Sequence, residues 1–184
     1  MLKYEIIKGM KTLRESLLDD DLDTSFDKNI KAEIKKFLKL NYKGHSSCKI
    51  SREPNQYGKY EVSSTKDIDV INKNITSLTN GMFVWTTVDG YFRFVSCNSL
   101  KSLDGSPKKV GRDFYCFNCD SLTSLKGAPK EVGGCFYCLY CRHLTSLKGA
   151  PKKVDGDFNC YGCAGKFTIE DIKKVSNVKG KIRC

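Results

Sequence analysis

The sequence predicts an α/β solenoid, in which about five strands form one parallel β-sheet between a helical N-terminal module and a helix-plus-strand C-terminal cap. The first observation is a 22-residue repeat: Leu100, Leu122 and Leu144 share one slot, and three of the four prolines share another. Such a period is typical of units that bury their apolar edges only by stacking on one another. The second observation is the alternation of inward and outward residue types, as in Phe114–Cys116, which predicts a strand in each unit.

The N-terminal module is predicted to span residues 1–44. Apolar side chains recur every three or four positions in residues 2–18, as in an amphipathic helix, before an acidic stretch at residues 19–23. Thr24 or Ser25 is expected to cap a second helix that ends near Gly44. The apolar stripe of this helix consists of Phe26, Ile30, Ile34, Phe37 and Leu40. Residues 45–58 are rich in turn formers and predict a linker or an ordered loop.

The solenoid itself is predicted to span residues 59–163. A divergent first unit carries Ile68, Val70, Ile75 and Leu78 at the spacing of leucine-rich repeats. Further strands are expected around residues 92–94, 114–116, 136–138 and 158–160. Side chains expected in the core are those of Val110, Leu122, Leu125 and their equivalents in the other units.

Residues 164–184 are predicted to cap the C-terminal end, where the 22-residue period is lost. Thr168 and Asp171 have the spacing of a capping box. The helix that they begin is expected to carry Ile169, Ile172, Val175 and Val178, and residues 180–184 form a closing strand. A cap is needed because the last unit of a solenoid would otherwise expose its apolar end.

Ten cysteines raise the question of a metal site, since three C-x-x-C pairs follow one another at zinc-ribbon spacing. The repeat argues against zinc. The slot of Cys116, Cys138 and Cys160 holds Phe94 in the preceding unit, and a zinc ligand cannot be exchanged for phenylalanine. We therefore expect reduced thiols buried in the core, no cofactor and no metal, with structural zinc as the alternative.

Strand alternation also predicts which side chains point outward from the sheet. The outward set is rich in aromatic residues, which are enriched in protein interfaces. We interpret it as a partner-binding site, consisting of Tyr91, Arg93, Tyr115, Phe117, Tyr137, Leu139 and Tyr161. Two alternatives stay open: the aromatic rings only stabilise one another across strands, or the N-terminal helices cover them.

Charge and composition limit the classes of function. The net charge of +11 suits an acidic protein or a nucleic acid, and a lysine ladder follows the prolines, at Lys108, Lys109, Lys130, Lys152 and Lys153. No apolar run is long enough to span a membrane, and no secretory signal begins the chain. With two histidines and no phosphate-binding glycine motif, the sequence predicts a protein that is not an enzyme.

The repeat units also carry a resemblance, through the segments SLTSLKGAPKEVGG, SLKGAPKKVDGDFNC and CAGKFTIEDIKKVSNVKGKI. They resemble short leucine-rich-repeat proteins, with a 22-residue cysteine-containing repeat, encoded by bacteriophages and gut bacteria. The resemblance implies an accessory protein of the bacterial host cytoplasm that binds and inhibits a host protein, such as a defence nuclease of the CRISPR type. The alternative is a basic nucleic-acid-binding protein, with zinc held by its C-x-x-C pairs as an optional stabilising element.

Overall fold

A computed structural model describes the backbone of residues 20–184 and the side chains from residue 25 onward. Over this range the chain winds into a β-solenoid of about six turns, which confirms the predicted fold class. The predicted helix at residues 2–18 lies outside the described residues. No helix in the described range is long and apolar enough to cross a membrane.

Two helices and fourteen strands make up the described chain, with a 3-10 turn at His45–Ser47. In chain order they are α1 (Asp20–Asn41), β1 (Tyr42–Lys43), β2 (Cys48–Ile50), β3 (Tyr60–Ser64), β4 (Ile68–Val70), β5 (Phe83–Val88), β6 (Phe92–Val95), β7 (Lys109–Val110), β8 (Phe114–Phe117), β9 (Glu131–Val132), β10 (Phe136–Leu139), β11 (Lys153–Val154), β12 (Phe158–Asn159), α2 (Ile169–Val175), β13 (Asn177–Val178) and β14 (Ile182–Arg183).

The strands form two seven-stranded sheets, whereas the sequence predicted one sheet of about five strands. Sheet A has the order β1-β4-β6-β8-β10-β12-β14, and sheet B has the order β13-β11-β9-β7-β5-β3-β2. Each turn of the coil therefore contributes one strand to each sheet. Neighbouring strands are parallel except at the N-terminal end, where β1 pairs with β4 and β2 pairs with β3 in antiparallel fashion.

The strand register confirms the slots deduced from the repeat. In sheet A, Phe94 lies beside Val70 on one side and beside Cys116 on the other, and Cys116 in turn pairs with Cys138. An apolar ring and a thiol thus occupy equivalent core positions in successive turns.

The core lies between the two sheets. Its centre is a column of buried phenylalanines in which the ring of Phe114 lies 6.1 Å from Phe92 and 5.3 Å from Phe136, and Phe136 lies 4.9 Å from Phe158. The predicted core residues are all buried: Val110, Val132, Val154, Leu100, Leu122, Leu144, Leu103, Leu125 and Leu147.

The C-terminal cap continues the coil instead of ending it. Thr168 and Asp171 form the predicted capping box at the start of α2. Val178, however, was wrongly assigned to the helix: it lies in β13, which pairs with β11, while β14 is the predicted closing strand and pairs with β12. The helix therefore replaces a loop within the sixth turn.

The N-terminal end differs from the prediction in three respects. Helix α1 already includes Thr24 and Ser25, so neither residue caps it. Of the predicted stripe, Ile34 is buried but Phe26 and Leu40 are exposed, and among the described side chains of the helix Leu38 is the other buried apolar residue. The predicted linker contains β2, which forms an antiparallel ladder with β3 and so belongs to the folded solenoid.

Candidate binding surface

The outer face of sheet A is built from the residues that alternate with the core. In β6, Phe92 and Phe94 are buried whereas Arg93 and Val95 are exposed, and β8 and β10 repeat this alternation. The structure places all seven residues of the predicted binding site on this face or directly at its strand ends, in successive turns: Tyr91, Arg93, Tyr115, Phe117, Tyr137, Leu139 and Tyr161.

One column of this face holds adjacent turns together. The Asp113 Oδ1 atom accepts the backbone N–H of Cys135 at 2.7 Å, and the Cys135 Sγ atom accepts the N–H of Asp157 at 3.2 Å. Asp157 Oδ1 in turn accepts the N–H of Lys181 at 2.8 Å. The side chains of this column therefore satisfy backbone donors at the corner of the coil, which is a structural task.

The next column is a tyrosine ladder. The rings of Tyr115 and Tyr137 are stacked at 5.0 Å with 9° between their planes, and Tyr91 packs edge-on against Tyr115 at 6.1 Å. Arg93 continues the column in β6, where its Nε atom lies 2.6 Å from Asp69 Oδ1. The predicted cross-strand aromatic contacts thus exist, and they order the rings without burying them fully.

The tyrosine hydroxyls stay protonated at neutral pH. Burial, together with the hydrogen bond that Tyr115 donates to Asp113 at 2.8 Å, raises the pKa of Tyr115. Contact with the Cys135 thiol, followed by burial, raises the pKa of Tyr137 to about 12. The ladder therefore presents neutral, amphipathic rings to a partner.

A third column forms an apolar row along the solenoid axis. Its side chains follow one another at a single slot in five successive turns, and four of them are between 38% and 57% exposed while Leu139 is half-buried. The apolar row consists of Ile71, Val95, Phe117, Leu139 and Tyr161. Contiguous apolar exposure of this kind usually marks a contact surface.

Tyr140 adds a ring beside the apolar row and was not predicted. Its ring is 43% exposed and lies 5.4 Å from Phe117 and 5.8 Å from Tyr161. Its backbone has a left-handed φ of 55°, at the slot that Asn118 and Gly162 occupy in adjacent turns. For a bulky residue this conformation costs about 1–2 kcal/mol.

The N-terminal end of the row adjoins an open groove of about 320 Å³. It is lined by Lys43, Asp69, Val70, Ile71, Lys73, Arg93 and Val95. Asp69 neutralises Arg93 at the 2.6 Å contact. The ammonium groups of Lys43 and Lys73 form no ion pair with any side chain that the structure describes, so the groove is electropositive.

The C-x-x-C pairs bring their sulfur atoms together in the core. The Sγ atoms of Cys116, Cys138 and Cys141 lie within 4.8 Å of one another, with 3.6 Å between Cys116 and Cys141. A tetrahedral zinc–thiolate site has S–S edges of about 3.8 Å, because its Zn–S bonds are about 2.3 Å long. Distance alone is therefore compatible with zinc.

The hydrogen bonds favour neutral thiols instead. Cys119 and Cys141 each donate to the carbonyl two residues earlier, at 3.4 and 3.7 Å, and Cys97 makes the same contact at 3.8 Å. The unit of Cys97 carries Phe94 in place of the other cysteine, so this contact does not require a metal. Burial raises the pKa of Cys160 to about 12 and that of Cys116 well above its ordinary value. Hydrogen bonds from the neighbouring thiols, that of Cys116 first, lower the pKa of Cys141, so within the cluster any negative charge is held by protein thiols.

We therefore expect the purified protein to contain far less than one zinc per chain. Protein prepared without chelator would be analysed by elemental mass spectrometry, and its thermal unfolding recorded with and without EDTA. Neutral core thiols predict no change in the unfolding temperature on chelation. One or more zinc equivalents together with unfolding in EDTA would establish the zinc-stabilised alternative.

The two histidines of the chain each contact a backbone carbonyl oxygen. The Nδ1 atom of His45 lies 2.9 Å from the carbonyl oxygen of Tyr42, and that of His143 lies 2.6 Å from the carbonyl oxygen of Asp120. Each imidazole is thus engaged by backbone, in separate turns of the coil.

The lysine ladder lies along sheet B, on the other side of the coil from the tyrosines. Lys108, Lys130 and Lys152 are exposed and stack through backbone hydrogen bonds of 2.9 Å. Lys109 pairs with Glu131 at 3.6 Å and Lys153 pairs with Asp155 at 3.3 Å. These pairs reduce the positive charge that the ladder offers to a polyanion.

Comparison of the chain with models of protein families, with curated proteins and with solved structures finds no match. The resemblance to phage-encoded repeat proteins therefore remains an expectation.

Proposed function

We propose that the protein is a non-catalytic binding module that docks a partner protein on the outer face of sheet A. The observation that carries this proposal is the continuity of the face: the tyrosine ladder and the apolar row lie side by side over successive turns. Tyrosine and phenylalanine supply large contact areas with few rotatable bonds, and interface energy concentrates in such residues.

The scaffold behind the face supports the same proposal. Strands β6, β8, β10 and β12 are each paired on both sides, and their inward residues are close-packed phenylalanines and thiols. A surface built on such strands is already ordered before it binds. Little conformational entropy is then lost on association, and more of the contact energy appears as affinity.

A narrower proposal concerns the partner. From the resemblance of the repeats, we propose a bacterial host protein, inhibited by the bound module, with a defence nuclease of the CRISPR type as one candidate. In this proposal the module acts in the host cytoplasm. It inhibits by covering a surface, since the described residues offer no assembled catalytic groups.

The test replaces both stacked tyrosines. We expect Tyr115→Ala with Tyr137→Ala to weaken partner binding at least tenfold, because truncating aromatic residues at the centre of an interface typically costs about 2 kcal/mol or more. Partners would be captured from nuclease-treated host lysate and identified by mass spectrometry, and the affinity then measured by calorimetry. Circular dichroism would verify that the variant is folded.

The matched control is Lys108→Ala with Lys130→Ala, on sheet B. These changes should reduce affinity much less. If instead the lysine pair abolishes binding and the tyrosine pair does not, the binding face is sheet B.

The salt dependence of the affinity distinguishes protein binding from the rival hypothesis of nucleic-acid binding. Binding driven by phosphate contacts weakens log-linearly with salt concentration, with a slope that grows with the number of contacts. Binding anchored by aromatic residues changes less over the same range. A slope of about −3 would favour nucleic acid, as expected from the three lysines of the ladder that form no ion pair with a described residue, Lys108, Lys130 and Lys152.

A further inference from the structure

We infer that the partner presents an acidic amphipathic α-helix, which lies along the apolar row with acidic side chains in the groove at Lys43 and Lys73. This inference rests on the proposed function and names the chemistry of the partner. It starts from three features of the outer face of sheet A: the spacing of the row, the charge at one end of it, and the strained ring beside it.

The spacing of the row matches a helix better than an extended peptide. Its side chains repeat once per turn of the solenoid, at about 4.8 Å, the separation of hydrogen-bonded strands. An α-helix laid along the same axis presents a side chain every 5.4 Å. An extended peptide presents one side chain to the same face about every 6.6–6.8 Å. The helix therefore stays near register over several turns, whereas the extended peptide loses it within two.

The length of the row sets the length of the occupant. From Ile71 to Tyr161 the row crosses four intervals, or about 19 Å. A helix of about 13 residues covers this distance at 1.5 Å per residue. Apolar residues at i, i+3 or i+4, i+7 and i+11 would face the row, which is the recurring pattern of a helix bound in a groove.

Charge determines which helix is preferred. The groove shares Ile71 and Val95 with the apolar row, so one occupant can contact both. Lys43 and Lys73 are exposed and form no ion pair within the described part of the chain, whereas Arg93 is already neutralised by Asp69. The chain as a whole carries a net charge of +11. Glutamate or aspartate beside the apolar stripe complements this end of the surface and repels basic competitors.

Tyr140 marks the part of the surface where contact is expected to be strongest. Tyr140 has a left-handed backbone conformation, although the equivalent positions of adjacent turns hold Asn118 and Gly162, two residue types that adopt this conformation more readily. Tyrosine at this position places an exposed ring between Phe117 and Tyr161, in the C-terminal half of the row. A residue held in a strained conformation at a surface is better explained by a contact that it makes than by folding.

The experiment selects binders from a library of random 16-residue peptides displayed on phage, against the full-length chain. We expect enriched peptides to show apolar residues at intervals of three or four and at least two acidic residues near one end. The best synthetic peptide should become helical on binding, as measured by circular dichroism. Enrichment of alternating apolar patterns, enrichment of basic peptides, or no enrichment would overturn the inference.

Two variants locate the binding of that peptide. Tyr140→Asn should weaken it at least tenfold without lowering the unfolding temperature, because Asn118 already occupies the equivalent slot. Lys43→Glu with Lys73→Glu should weaken it at least fivefold, and Lys108→Glu with Lys130→Glu should change it less than twofold. An affinity unchanged by Tyr140→Asn, or an equal effect of both lysine pairs, would overturn the inference.

These outcomes also separate this inference from the proposed function. If partner capture is lost in the Tyr115 and Tyr137 double variant but the peptide does not compete with the partner, sheet A is the binding face and the helix inference fails. If partner capture survives the Tyr115 and Tyr137 double variant, the proposed function itself fails.

Discussion

Replacing Phe136 by alanine is expected to lower the free energy of unfolding by about 3–5 kcal/mol. The ring is fully buried and packed between Phe114 at 5.3 Å and Phe158 at 4.9 Å. The turns on either side are held at the strand spacing by their backbone ladders, so the walls cannot collapse into the cavity. Urea denaturation followed by circular dichroism measures the loss.

The neighbouring residue provides the control. Tyr137 follows Phe136 in the same strand but points outward, where its half-buried side chain stacks on Tyr115 and contacts the Cys135 thiol. Tyr137→Ala should therefore cost less, about 1–2 kcal/mol, because it loses one aromatic pair and the partial burial of one ring. Equal losses for the two variants would show that the outer ring, too, belongs to the core.

The second large effect is expected at a glycine. Gly127→Ala should cost about 2–5 kcal/mol, the sum of two contributions. A φ of +89° disfavours any side chain by about 1–2 kcal/mol. The added Cβ atom would also lie 2.2 Å from the backbone nitrogen of Asp104 in the preceding turn, a clash that only movement of backbone relieves and that adds about 1–3 kcal/mol.

Gly81 separates these two contributions. Its φ is +86°, but no atom beyond Gly81 and its two chain neighbours lies within 4 Å of the Cβ that alanine would add. Gly81→Ala should therefore cost only the conformational part, about 1–2 kcal/mol. A loss at Gly127 no larger than the loss at Gly81 would mean that adjacent turns can separate without penalty, contrary to the close stacking seen in the structure.

The strands of sheet A from β4 to β12 could be predicted because each carries its own signal in the sequence, whereas β1 lies in the segment predicted as a helical module. Phe114, Tyr115 and Cys116 alternate between core and surface, and the same alternation returns 22 residues later. The period supplies the register as well, since equivalent residues of a solenoid lie beside each other. Slots, core side chains and the orientation of the predicted binding residues therefore followed from the repeat.

The short strands of sheet B could not be predicted in the same way. Strands β7, β9 and β11 are two residues long, and each shows only one buried valine beside one exposed residue, as in Lys109–Val110. Two residues are too few for a visible alternation. Their strand conformation is dictated by the turn above and the turn below, which is tertiary context. The same explanation holds for Val178, whose spacing suits a helix but whose partner is Val154.

The candidate site was predicted in part. The repeat placed Tyr115, Phe117 and Tyr137 on one face, but it gave no indication that Tyr140 would adopt a positive φ. The nearest signal was an alignment of Tyr140 with Asn118 and Gly162, two residues that tolerate this conformation. The groove was not predictable, because Lys43 reaches it only through the antiparallel pairing of β1 with β4.

The two reversed strands at the N-terminal end have a consequence for assembly. A coil of parallel strands is in principle open-ended, and a second molecule added head to tail could extend it into a filament. In this protein β1 and β2, the edge strands at the N-terminal end of the two sheets, are antiparallel to their neighbours. A copy stacked on them would meet strands of the wrong polarity and could not continue the winding. Within the described residues, the edge strands of both sheets are also only two or three residues long, so they offer few backbone groups to another chain.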